Sequence, residues 1–105
     1  MSRFRISNRY VYASTGATGF VVNSATDKEV TGLFAGDASG GVNVANVVEI
    51  YAAVATNIKF NDTANDAIPL LATTRYVFED VEVTSIYAED GGDASGNVKI
   101  YIQEN

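Results

Sequence analysis

The stretch from Asn97 to Gln103 reads NVKIYIQ, and it has the most regular pattern of the 105-residue chain. Val98, Ile100 and Ile102 occupy every second position, with Lys99 and Tyr101 between them. Successive side chains of a β-strand point to opposite faces of the sheet, so this pattern is typical of a strand with one buried face. The stretch predicts a strand that covers a core on one side.

The same strand chemistry extends through most of the chain. Valine, isoleucine, threonine, tyrosine and phenylalanine are frequent, clusters of Gly and Asp separate them at short intervals, and Pro69 is the only proline. Residues 44–55 also fit a helical stripe, but their β-branched density favours strands, and a helix of a few turns stays as the alternative. We predict an all-β fold with about seven to eight short antiparallel strands, a jelly-roll-like β-sandwich or a small barrel.

Two local features refine this prediction. The period of two breaks between Phe78 and Ile86, which predicts a bulge or turn near Glu79–Asp80 or Thr84–Ser85. Residues 36–44 (GDASGGVNV) and 92–100 (GDASGNVKI) are closely similar, and their Gly, Asp and Ser content is typical of hairpin loops. Because the repeat covers only nine residues, it indicates one turn chemistry used twice and not a duplicated domain.

Length and composition limit the domain organisation. A chain of 105 residues with 47% hydrophobic and 19% charged residues is balanced for one globular core. We expect a single β-sandwich domain over residues 1–105, in which residues 1–12 form an N-terminal interaction arm or strand. The apolar runs are too short for a membrane span and the N-terminus lacks the apolar run of a signal peptide, which predicts a chain made in the cytoplasm.

The missing residue types argue against catalysis. The chain contains neither histidine nor cysteine, which excludes serine-histidine triads, cysteine nucleophiles and thiolate zinc sites. A carboxylate pair among Glu79, Asp80 and Glu82 is the remaining candidate for glycoside chemistry. The chain has no tryptophan for a sugar platform, and charges that alternate with valines are typical of any half-buried strand. We therefore predict that the protein is not an enzyme, with a small carboxylate-based hydrolase as the least favoured alternative.

The densest acidic cluster offers a candidate cation site. Glu89, Asp90 and Asp93 lie close together in a glycine-containing stretch, and calcium prefers carboxylate and carbonyl oxygens. The spacing does not match the helix-loop-helix calcium loop, and a solvated turn explains the cluster equally simply. We expect no cofactor, and these three residues stay as weak metal candidates.

The charges divide the chain into a basic start and an acidic remainder. The net charge is −6, and after the ninth residue four basic residues face 13 acidic ones, which disfavours nucleic acid and anionic membranes as partners. Residues 3–12 alternate between a basic and an aromatic face, so this arm is either a solubilising terminus or a strand that contacts an acidic partner. The six tyrosines suit either a protein interface or a half-buried sheet. The candidate interface residues are Arg3, Phe4, Arg5, Arg9, Tyr10 and Tyr12.

Four segments carry a family resemblance. They are ATNIKFND (55–62), IPL (68–70), DVEVTSIY (80–87) and SGNVKIY (95–101), and together they resemble small virion proteins of tailed bacteriophages, those that decorate or cement capsids or sit at the tail. The resemblance implies a β-sandwich or jelly-roll module without catalytic residues. It also implies a dimer or trimer that clamps neighbouring capsid subunits.

The resulting functional hypothesis is a viral structural protein. We expect a capsid cement or decoration protein that binds the major capsid protein or another virion protein, forms a homo-oligomer, and resides in the virion after synthesis in the host cytoplasm. The alternative from another class is a tail-associated or calcium- or carbohydrate-binding β-sandwich module. Partner identity, symmetry and the choice between capsid and tail are left open by the sequence.

Overall fold

A computed structural model describes the backbone of residues 9–12, 20–22, 28–36, 41–90 and 96–104, and the side chains of 28–36, 41–89 and 98–104. No helix in these described ranges has the length and apolar character needed to cross a membrane. The described residues form nine strands: β1 (Arg9–Tyr12), β2 (Phe20–Val22), β3 (Lys28–Glu29), β4 (Ala45–Ala52), β5 (Thr56–Phe60), β6 (Ile68–Leu70), β7 (Thr74–Val83), β8 (Ile86–Asp90) and β9 (Gly96–Glu104).

The strands form two antiparallel sheets. The larger sheet has the order β1-β9-β4-β7, and β2 pairs with β9 as well. β1 lies opposite residues 101–104 of β9, whereas β2 lies opposite residues 96–98, so the two short strands follow one another along the same edge. The smaller sheet has the order β3-β8-β5-β6.

The pairing is that of a long hairpin rolled into two layers. β9 pairs with β1 and β2, β8 with β3, β7 with β4, and β6 with β5. This nested order, first strand with last and inward from there, is the jelly-roll form of a double-sheet Greek key. The predicted all-β, jelly-roll-like sandwich is confirmed. The described strands number nine because the first strand of the roll consists of two segments.

β4 lies at the centre of the larger sheet, between β7 and β9, and it shows why these residues form a strand. Its burial alternates: Val48, Ile50 and Ala52 are fully buried. The intervening positions face the outside of the sheet. The helical alternative for residues 44–55 is therefore wrong, since the β-branched side chains pack into a sheet. One core joins both sheets through the buried side chains of Val30, Leu33, Phe34, Val42, Ala45, Val48, Ile50, Ala52, Ile58, Leu70, Val83, Ile86, Ala88, Val98, Ile100 and Ile102.

A bulge interrupts the pairing of β4 with β7. Between the pairs Ala45–Val83 and Val47–Glu79, β4 has one residue and β7 has three. Asp80 adopts a φ of 58°, and the side-chain amide of Asn46 donates a hydrogen bond of 3.2 Å to the carbonyl of Val81. The bulge predicted near Glu79–Asp80 is confirmed.

The strands that flank each of the two similar GDASG segments belong to different sheets, so the hairpin prediction is wrong. The first lies between β3 and β4 and the second between β8 and β9, and each connection passes from the smaller sheet to the larger. In the first, Val42 returns to Phe34 through an isolated parallel bridge. A Cβ on Gly41 would lie 2.6 Å from the backbone carbon of Phe34, so only glycine fits there. The hairpin prediction failed because turn composition carries no information on which sheet the next strand joins.

Asn61 connects two loops at one end of the sandwich. Its side-chain oxygen accepts hydrogen bonds from the backbone N–H and the hydroxyl of Thr84, at 2.7 and 3.1 Å, and its amide donates to the carbonyl of Glu82 at 3.0 Å. Asn61 has a φ of 72°, a conformation that asparagine tolerates better than most residues. The residue thereby holds the β5–β6 loop against the connection from β7 to β8, where the chain changes sheets.

We expect Asn61→Ala to lower the free energy of unfolding by about 1 to 3 kcal/mol, because it removes these hydrogen bonds and places a Cβ-bearing residue without a local partner at positive φ. Asn61→Gly removes the same bonds but relieves the backbone, and Asn61→Asp keeps the acceptor for Thr84. Chemical denaturation should rank the stabilities in the order Asn, Asp, Gly, Ala. Equal stability of all four would show that this corner contributes nothing.

Candidate protein-binding face

The outward-facing side chains of β4, β7 and β9 form a continuous surface that we call the outer face. Their cross-strand register defines its rows. Tyr101, Glu49 and Val77 lie side by side in one row, and Lys99, Tyr51 and Arg75 in the next. The third row consists of Gln103, Val47 and Glu79.

Large apolar side chains are exposed on this face. Tyr51 is 39% exposed and Val77 is 49% exposed, and they occupy neighbouring rows. Val47 and Tyr101 are half-buried beside them. Tyrosine combines a large ring with a hydroxyl that reaches a polar partner, which is why it is enriched in protein interfaces. The exposed Tyr51 and Val77 therefore make the outer face a candidate surface for binding another protein.

An ion pair lies across two rows of the outer face. The Nε of Arg75 lies 2.6 Å from a carboxylate oxygen of Glu49. The side chain of Arg75 is 64% exposed and that of Glu49 30% exposed, so solvent screens the pair and its contribution to stability is small. Its effect is to orient the guanidinium along the sheet.

The C-terminal part of the predicted arm lies at the edge of the same sheet. Residues 9–12 form β1, and its register places Tyr12 opposite Tyr101 and Tyr10 opposite Gln103, both in rows of the outer face. Arg9 lies opposite Glu104. Arg3, Phe4 and Arg5 lie outside the described residues. The register thus places two of the predicted interface positions, Tyr10 and Tyr12, beside Gln103 and the half-buried Tyr101 of the outer face.

The weak metal candidates do not assemble into a described site. Glu89 is half-buried in β8 opposite Asn57, and Asp90 follows it in the strand opposite Thr56. Consecutive strand positions belong to opposite faces of a sheet. Asp93 lies outside the described residues. Within the part of the chain that the structure describes, no group of three or more His, Cys, Asp or Glu is arranged to hold a metal ion.

The carboxylates considered for glycoside chemistry lie at the bulge of β7. Glu79, Asp80 and Glu82 are all exposed. Asp80 and Glu82 would share one face of a regular strand, but the positive φ of Asp80 interrupts the alternation there. The structure therefore removes the geometric argument for a paired-carboxylate site.

The remaining described tyrosines have different surroundings. Tyr76 is half-buried on the core side of β7, where its ring stacks on Phe78 at 6.5 Å and its hydroxyl accepts a hydrogen bond from the backbone of Leu71. Tyr87 is half-buried on the outside of the smaller sheet, in register with Lys59. Tyr76 and Tyr87 are thus half-buried sheet residues, as one of the two interpretations of the tyrosines has it. Sequence reasoning missed Val47 and Val77, because an outward valine has the same local signal as a buried one.

Comparisons with models of protein families, with curated proteins and with solved structures found no match.

We expect Glu49→Gln to lower the free energy of unfolding by less than about 1 kcal/mol, since the pair with Arg75 is exposed. Chemical denaturation at low and high salt measures the effect, and the small loss should vanish at high salt because exposed pairs are screened. A loss well above this value would mean that the pair holds β4 and β7 together.

Proposed function

We propose that this protein is a viral structural protein, a capsid cement or decoration protein that stabilises a shell by binding adjacent capsid subunits. The observation that carries the proposal is the outer face. Tyr51, Val77 and Tyr101 lie on one sheet surface, and the register of β1 aligns the predicted interface positions Tyr10 and Tyr12 with it.

The physical argument concerns what a flat, tyrosine-bearing sheet face can bind. Interfaces between proteins concentrate binding energy in a few buried aromatic residues that are surrounded by polar groups. On this face the exposed Tyr51 has a polar border in Glu49, Arg75 and Lys99. A complementary protein surface would bury the ring while these side chains stay hydrated at the rim.

Three observations favour the capsid among protein partners. The four segments that resemble phage virion proteins imply decoration or cementing, and jelly-roll sandwiches are common in viral shells. The basic residues Arg3, Arg5 and Arg9 precede an acidic remainder, which suits an arm that reaches an acidic neighbouring subunit. A mostly acidic body also repels phosphate backbones and anionic membranes.

The direct test is the composition of the particle. Virions of the virus that encodes this chain should contain it in a copy number set by the capsid symmetry, as measured by quantitative mass spectrometry, and electron microscopy should show its density on the outside of the shell. Absence of the chain from purified virions would refute the proposal, and density at the tail alone would reassign it to the tail.

A surface variant tests the outer face itself. Tyr51→Ser removes an exposed ring, so the isolated fold should keep its melting temperature while binding to undecorated capsids weakens by about tenfold or more. Tyr87→Ser, the same substitution on the outside of the smaller sheet, is the matched control and should leave binding unchanged. Co-sedimentation with capsids measures both. Equal loss in the two variants, or none in either, would show that the outer face is not the binding surface.

A further inference from the structure

The described strands leave sheet edges that differ greatly in length. β3 has two residues and β1 has four, and the three-residue β6 carries Pro69, which cannot donate a backbone hydrogen bond. β7 has ten residues, and among the described strands it pairs with β4 alone. Long edge strands are templates for pairing with another chain, and natural sheets usually shorten or interrupt them. Among the edge strands that the structure describes, β7 is the longest.

The regular part of β7 ends at the bulge. From Thr74 to Glu79 each residue pairs in sequence with β4, and the register shifts after Glu79. This six-residue stretch reads TRYVFE. The residues on the two sides of Val77 complement each other. Arg75 lies two residues before Val77 and Glu79 lies two residues after it, and the aromatic residues Tyr76 and Phe78 flank it directly.

We infer that β7 pairs antiparallel with β7 of a second copy of this chain, about a two-fold axis through Val77. A two-fold axis requires the same surface from both copies, so each residue before the axis lies opposite one after it. Arg75 then lies opposite the partner's Glu79, and Tyr76 opposite the partner's Phe78. Val77 meets its own copy on the axis.

Both faces of the new strand pair are chemically matched. On the outer face, the valine pair is flanked on each side by an arginine opposite a glutamate, and opposite charges across antiparallel strands stabilise the pairing. On the core face, Tyr76 and Phe78 are half-buried, and Phe60 packs edge-on against Phe78 at 5.2 Å. These rings close the core at the β7 edge. A second copy would cover the part of each ring that solvent now reaches.

The existing ion pair is compatible with the dimer. Glu49 contacts the Nε of Arg75, and a guanidinium has further N–H donors on its terminal nitrogens. Arg75 can therefore bind Glu49 within its own chain and the partner's carboxylate across the axis. Val77, at 49% exposure, loses part of its solvent contact in the pair, on the side that meets its own copy. The inference does not depend on the capsid proposal, because it concerns only two copies of this chain.

Charge reversal tests this register. Arg75→Glu places two glutamates opposite each other at both ends of the pair, and Glu79→Arg places two arginines there, so each single variant should weaken the dimer by about tenfold or more in Kd. The double variant R75E/E79R restores opposite charges and should restore dimerisation. Mixing the two single variants should also give a heterodimer, since one edge is then wholly acidic and the other wholly basic. Sedimentation velocity over a concentration series measures all of these.

Two further variants separate the interface from the fold. Glu29→Gln removes an exposed charge from β3 in the smaller sheet without changing the β7 edge, so it should leave the dimer Kd unchanged. Val77→Lys brings like charges together on the axis and should give a monomer whose melting temperature stays close to that of the wild-type monomer. A wild-type chain that remains monomeric at high concentration would overturn the inference. So would a dimer that is indifferent to the charge reversals and to Val77→Lys.

Discussion

The alternation of β4 is the constraint on which the rest of this molecule depends. Val48, Ile50 and Ala52 are fully buried at the centre of the larger sheet, where β7 and β9 pair on either side. Because a strand has a period of two, burying these three residues commits the intervening positions to the outer face. A slip of one residue would expose Ile50 and bury Glu49. The surface proposed to bind protein and the core that stabilises the fold are thus two consequences of one register.

β9 links β4, and thus its register, to the first strands of the chain. It pairs with β4 on one side and with β1 and β2 on the other, so the last strand holds the first ones. Nested pairing of this kind is dominated by contacts between residues distant in sequence, which fold slowly because a long loop must close before the contact forms. The chain contains no cysteine that would close the loop covalently. The regular apolar face of β9, with Val98, Ile100 and Ile102 all buried, is what completes the sandwich.

The sequence was sufficient for the features that local patterns determine. Period-two alternation predicted β9 and favoured a strand for β4, and the broken period before Val81 predicted the bulge at Glu79–Asp80. The sequence was insufficient for features that depend on which strands pair with each other. The GDASG segments have the composition of hairpins, yet the strands before and after each of them belong to different sheets. Val47 is another example, because its place in a row of the outer face follows from its pairs with Glu79 and Gln103.

The length of β7 is significant because the edge strands of the smaller sheet are short. β3 and β6 are short, and β6 includes a proline, so the described part of the smaller sheet offers no long template to another strand. Open-ended growth of the larger sheet is limited as well, because the bulge at Asp80 bends β7 away from regular pairing and a net charge of −6 opposes close packing of many copies. A six-residue segment with self-complementary charges remains. Two-fold pairing uses up this edge in both copies, so such an assembly closes at two chains and cannot extend into a fibre.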